Sequence, residues 1–133
     1  MAGQLIGIGP QDELLRLTGT SGDPYEDISA TGAGTGRYFG DNQTFDAYLV
    51  CAGTAGSTLD VKFQHSADNV TYADMGIAFP QQTASGAVAT GSLSAFPKRT
   101  VSTQDGYPWV RVHKTPSGTW NDVAVLVETA KGF

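Results

Sequence analysis

Two histidines, His65 and His113, are the side chains of this sequence best suited to moving a proton or holding a metal. Imidazole titrates near neutral pH and ligates through either nitrogen. Neither residue sits in an H-x-H or H-E-x-x-H spacing, so both read as surface or interface histidines. Asp41, Asp46, Asp60, Asp68 and Asp74 offer oxygen ligands for Ca²⁺. The alternating acids and central glycine of an EF-hand loop are missing, and isolated loop aspartates make turns. Cys51 is the single cysteine, which rules out an intrachain disulfide and a thiolate metal set. On a predicted strand it reads as a small buried hydrophobe. No G-x-S-x-G elbow presents a serine. Gly32-x-Gly34-x-Gly36 lacks the Gly-Lys-Ser/Thr of a phosphate loop and the strand–helix frame of a dinucleotide fold, and Gly7-Ile-Gly9-Pro10 fails for the same reason. The expectation is a protein with no catalytic residues, no metal and no cofactor.

The spacing that does suggest chemistry is Tyr107, Trp109, Arg111 and His113. They alternate with Val110 and Val112, and successive side chains of a strand point to opposite faces. With the valines on a core, an exposed Tyr-Trp-Arg-His stripe remains; the competing reading packs Trp109 under a nearby loop. Trp, Tyr and Arg are enriched at binding hot spots, and their flat faces also stack on sugar rings.

The elements that must position this stripe are strands. Thr58–His65 alternates Leu59, Val61 and Phe63 with Asp60, Lys62 and Gln64, giving one apolar and one wet face. Ser66-Ala-Asp-Asn69 carries turn chemistry, and an extended run returns through Val70 and Tyr72, so a β-hairpin is expected. Thr44–Cys51 places Phe45, Ala47, Leu49 and Cys51 on one face, with Asp46 and Tyr48 on the other. Gly76–Phe79, 87–93, 97–101 and 107–114 supply further extended runs. Pro108 marks a strand start or an edge, and Val123, Val125 and Val127 alternate in a final strand. Pro10–Leu17 reads equally as a short helix start and as an extended arm. The sum is an all-β single domain, a β-sandwich or jelly roll over residues 37–133, preceded by a Gly-rich N-terminal arm over 1–36. Low apolar density and abundant glycine make that arm costly to order alone.

Composition narrows the function class. The chain has 133 residues, long enough for one domain that buries about two thirds of its unfolded surface. Charged residues are only 16%, against about a quarter in ordinary soluble domains. The wet surface is therefore Ser, Thr, Gln, Asn and Gly, which suits large assemblies where charge repulsion between neighbours is unhelpful. A net charge of −5 with no Lys/Arg cluster argues against nucleic acid. No apolar run approaches the roughly 18 residues of a membrane helix. Met1–Gly9 lacks the basic start and apolar run of a secretory signal, so synthesis in the cytoplasm is expected. The sequons Asn42-Gln-Thr44 and Asn69-Val-Thr71 then read as chance matches.

The motif order is also familiar. Gly34-Thr-Gly-Arg-Tyr-Phe-Gly40, Phe45-Asp-Ala-Tyr-Leu-Val50, and Leu59-Asp-Val-Lys-Phe-Gln-His-Ser66 with Asp68-Asn69 come first. Lys98-Arg99, Trp109-Val-Arg-Val112, the Ser117-Gly118 turn and a final valine strand follow. Over roughly residues 34–128 this resembles the jelly-roll cement (decoration) proteins of tailed bacteriophage capsids. The resemblance implies a non-enzymatic virion protein on the capsid exterior, assembled in the host cytoplasm. Its partners would be the major capsid protein and further copies of itself, as a homodimer or homotrimer. Tyr107, Trp109, Arg111 and His113 are the expected interface. A phage tail or fibre β domain that recognises host glycan is the alternative.

Overall fold

A computed structural model of the chain describes residues 11–17, 31–85 and 96–129. Among these residues every regular element is a strand. β1 (Gln11–Leu17), β10 (Trp120–Thr129), β4 (Thr44–Gly53) and β8 (Lys98–Ser102) form one antiparallel sheet in that order. The second sheet runs β2 (Gly32–Ala33), β9 (Trp109–Ser117), β5 (Thr58–Ser66) and β6 (Ala73–Ala78). β3 (Arg37–Tyr38) also pairs with β9, and β7 (Gln82–Thr83) with β5. The chain is an all-β sandwich, as the strand-length alternations and Gly/Pro/Asn turns of the sequence require.

The two inner faces meet in one core. Phe45, Ala47 and Leu49 of β4 and Val123, Val125 and Val127 of β10 come from the first sheet, with Val101 of β8. Leu59, Val61 and Phe63 of β5 and Val110 and Val112 of β9 come from the second. All the inward positions expected from alternation on β5, β9 and β10 are at most 1% exposed. Burying each such side chain contributes about 1.5–3 kcal/mol. Trp120 closes one end, with its indole Nε1 donating to the Thr58 carbonyl at 2.9 Å. At that end the β9–β10 turn seats on the β4–β5 loop: Thr119 N donates to Ser57 Oγ and Thr54 N to the Thr119 carbonyl. Gly118 has φ +86, and a Cβ there would run into Ser57, so glycine is required both by backbone and by space.

Within the stretch read as a helix start or an extended arm, Gln11–Leu17 takes the extended reading. β1 pairs with β10 from Gln11↔Glu128 to Leu17↔Val123. Of the stretch 1–36 expected as an arm, Gln11–Leu17 and Gly32–Ala33 thus belong to the sheets, and 1–10 and 18–30 lie outside the described residues. The expected strand over 87–93 also lies outside them. Pro108 immediately precedes β9, the strand-start position where its missing N–H costs no ladder bond.

Candidate functional site

The outer face of the second sheet is built by register. Across β9 and β5, His113 pairs with Lys62, Arg111 with Gln64, and Trp109 with Ser66. On the far side of β5, Gln64 pairs with Asp74 of β6. On the far side of β9, Trp109 pairs with Tyr38 of β3. Directly opposed residues of adjacent strands are close enough to interact, and here they do.

Arg111 is the centre of that network. Its Nε donates to Gln64 Oε1 at 2.8 Å, and its guanidinium lies 4.0 Å from the centroid of the Tyr72 ring. Gln64 Nε2 in turn donates to Asp74 Oδ1 at 2.9 Å, and Lys62 Nζ to Asp74 Oδ2 at 2.9 Å. The Lys62 bond and the Gln64 bond hold the Asp74 carboxyl below its ordinary pKa. Tyr72 is fixed by a hydrogen bond from its hydroxyl to Asn69 Oδ1. Gly36 approaches the same two side chains so closely that a Cβ there would push the Tyr72 hydroxyl and the Asn69 amide out of place. This close approach gives one member of the Gly32-x-Gly34-x-Gly36 run a packing role.

The tip that carries Tyr72 is set by local capping. Ser66 Oγ accepts from Asp68 N and Asn69 N, and Asp68 Oδ1 accepts from Val70 N and Thr71 N. The backbone bonds from Thr71 and Val70 hold the Asp68 carboxyl below its ordinary pKa. Asn69 takes φ 62, a left-handed conformation that Asn tolerates better than most residues. The turn expected at Ser66–Asn69 is formed, and it positions an aromatic ring over the guanidinium.

Beside the network stands an aromatic pair. Tyr38 meets Trp109 edge-to-face, with centroids 5.2 Å apart and planes at 75°. Tyr38 is 65% exposed. No family model, curated protein or solved structure matches the chain. The chemistry of the face therefore stands on its own geometry.

Of the four residues expected as a stripe, Trp109, Arg111 and His113 alternate on β9 with the buried Val110 and Val112. Tyr107 is exposed, as expected, but is turned differently from the other three, which are half-buried. It closes a tight bend, its N–H donating to the Gln104 carbonyl, and it stacks on His65 at 4.4 Å with planes at 20°. His65 belongs to the inner face of β5 and is 7% exposed. The bend before Pro108 interrupts the strand alternation that would have put Tyr107 beside Trp109.

The two histidines thus occupy opposite faces of their sheet. Burial lowers the pKa of His65. Burial does the same to His113, with the charges of Lys62 and Arg111 adding to it. Both imidazole Nδ1 atoms are buried without a hydrogen-bond partner. Cys51 is pushed up to about 11 by burial and by the charge of Asp122, which keeps it a thiol and a poor nucleophile at neutral pH. Four of the five candidate calcium aspartates serve separate partners: Asp74 holds Lys62 and Gln64, and Asp46 accepts from Thr100 and pairs with Lys98. Asp60 accepts from Gln81, and Asp68 caps the turn. Among the described residues no three of His, Cys, Asp and Glu gather to hold an ion.

Sequence reasoning located Trp109, Arg111 and His113 but not Tyr38, Tyr72, Gln64 and Asp74 as their neighbours. Lys62 and Gln64 were assigned to the wet face of β5, which was the available signal. Which strand that face adjoins is a matter of sheet order.

Proposed function

We propose that this chain is a non-enzymatic structural protein of a tailed-phage virion, a cement protein that binds the major capsid shell from outside and strengthens it. The observation that carries the reading is the outer face of the second sheet, where the exposed Tyr38 and the half-buried Trp109 adjoin a guanidinium held by Gln64 and Tyr72. Surfaces of that composition are enriched at protein–protein hot spots. Exposed aromatic area gains roughly 25 cal/mol per Å² on being covered, against the entropy cost of association.

The strand order supports the jelly-roll part of this proposal. β2 and β3 share one position beside β9, and β6 and β7 share one beside β5. The resulting eight strand positions alternate between sheets except at the β5–β6 hairpin, the wrapping of two Greek keys. Low charge density fits a protein packed against many identical copies, and self-association as a dimer or trimer belongs to the same proposal.

Recognition of a host glycan is the second reading, favoured by the open Tyr38 ring beside Trp109, a platform on which a sugar ring stacks. One experiment separates the two. Purified protein is mixed with empty capsids, sedimented and viewed by negative-stain microscopy, and the shells are heated. The cement reading expects stoichiometric binding, a rise in shell heat resistance, and loss of both with Trp109→Ala/Arg111→Ala. Unbound shells together with glycan-array signals that vanish in Trp109→Ala establish the second reading instead.

A further inference from the structure

We propose that Arg111 is a carboxylate receptor, and that its occupant on the shell is an aspartate or glutamate side chain of the capsid subunit. The inference rests on the shell-binding reading above and names the group that the face takes.

The guanidinium is oriented before any partner arrives. Nε is committed to Gln64 Oε1 at 2.8 Å. Gln64 is held in that pose because its other end donates to Asp74, which Lys62 fixes from the opposite side. The Tyr72 ring at 4.0 Å holds the guanidinium at one face. Among the described residues no group accepts from the terminal nitrogens of Arg111, and they are not among the buried polar atoms. What is left open is the end of the fork, two N–H groups in parallel, which matches the two oxygens of a carboxylate. Because the side chain is already ordered, binding an acid there loses little of the rotamer entropy that a free arginine gives up.

Charge points the same way. Lys62 is neutralised by Asp74 at 2.9 Å. His113, with its pKa lowered, is neutral at neutral pH. The Arg111 charge, by contrast, contacts no carboxylate among the described residues. One uncompensated guanidinium beside an apolar pair selects a single acid flanked by apolar atoms. It does not select a polyanion, which a chain of net charge −5 repels. Tyr38 and Trp109 then cover the hydrocarbon around the incoming acid and exclude water from the ion pair, which strengthens it.

The test compares wild type, Arg111→Gln, Arg111→Lys and Gln64→Leu in equilibrium binding to empty shells, with circular dichroism confirming the fold of each. Arg111→Gln is expected to weaken binding by at least about tenfold, the loss of a charge-assisted pair. Arg111→Lys should recover only a small part, because an ammonium is not a fork. Gln64→Leu should lose a few-fold through Arg111 orientation alone, and only while Arg111 is present. A short peptide carrying one glutamate between apolar residues should compete with shells, and galacturonate should compete less well. Unchanged binding by Arg111→Gln overturns the receptor while leaving shell binding intact. Full rescue by lysine overturns the fork. Stronger competition by galacturonate makes the ligand a saccharide, and an Arg111→Gln effect confined to self-association makes it a second copy. Where wild type ignores shells, the shell reading falls with its occupant. The same single-glutamate peptide titrated against tryptophan fluorescence then still decides whether the site takes carboxylates, because Trp120, 2% exposed, is shielded from the ligand and gives a constant background that Trp109→Phe isolates.

Discussion

The two faces of β5 and β9 are made by the same residues' neighbours and obey different rules. Inward, Leu59, Val61, Phe63, Val110 and Val112 are at most 1% exposed and pack in one apolar cluster. Outward, one residue along, Lys62, Gln64, Arg111 and Asp74 hold one another by hydrogen bonds of 2.8–2.9 Å. The inner face gains from area removed from water, which is non-directional and tolerant of exchange among similar shapes. The outer network gains little net stability from each bond, since water would serve nearly as well. What it fixes is direction. The core therefore keeps the fold, and the outer face keeps a pose.

The comparison breaks most visibly if a core residue proves dispensable. Phe63→Ala is expected to cost about 3–5 kcal/mol in urea unfolding, the loss typical of a deleted buried ring. That is a large share of the roughly 5–15 kcal/mol that holds a domain together. A cost under about 1 kcal/mol would place Phe63 outside the core.

A smaller loss is expected at the sandwich end, where Gly118→Ala combines a left-handed backbone with contact against Ser57. About 1–3 kcal/mol is expected there, read as a lowered midpoint of thermal unfolding.

The histidines sharpen the contrast through pH. Burial lowers the pKa of both His65 and His113 in the fold. The unfolded chain therefore binds protons first as the pH falls below their ordinary value of about 6.5. Stability is full above that value and declines on acidification through the window between it and the lowered folded values. Melting temperatures at pH 7.5 and 5.5 should differ in that sense. His65→Gln and His113→Gln should each flatten the difference. A protein more stable at the lower pH would contradict the sign.

Least of all should the outer network matter to folding. Gln64→Leu is expected to stay within about 1 kcal/mol of wild type in urea, while altering the pose of Arg111. A loss as large as that of Phe63→Ala would make the network a folding element and remove the distinction between the faces.

The inner face was legible in the sequence because a period of two states which side chains share a side. Leu59, Val61 and Phe63 announce themselves, as do Val123, Val125 and Val127. β1 was ambiguous because Gln11–Leu17 has no clean alternation, and its pairing with β10 is a contact across more than a hundred residues. β2 and β3 were not legible at all. Two-residue strands in a Gly-rich stretch carry no period, and β9 alone decides where they lie. The outer face was half legible for the same reason. Alternation gives the side on which Arg111 stands, but sheet order and register decide that Gln64, Asp74 and Tyr38 stand beside it. Tyr107 shows the opposite failure: alternation was extended through a bend where no strand exists.

The central claim, that the shell is met by the outer face of the second sheet, is tested most directly by hydroxyl-radical footprinting with and without empty capsids. In the free protein Tyr38, 65% exposed, and Trp109 should oxidise readily, while Trp120, 2% exposed, should not. On shells, protection of Tyr38 and Trp109 with Trp120 unchanged is the predicted result. Shell-bound protein in which Tyr38 and Trp109 oxidise as fast as in solution would contradict it.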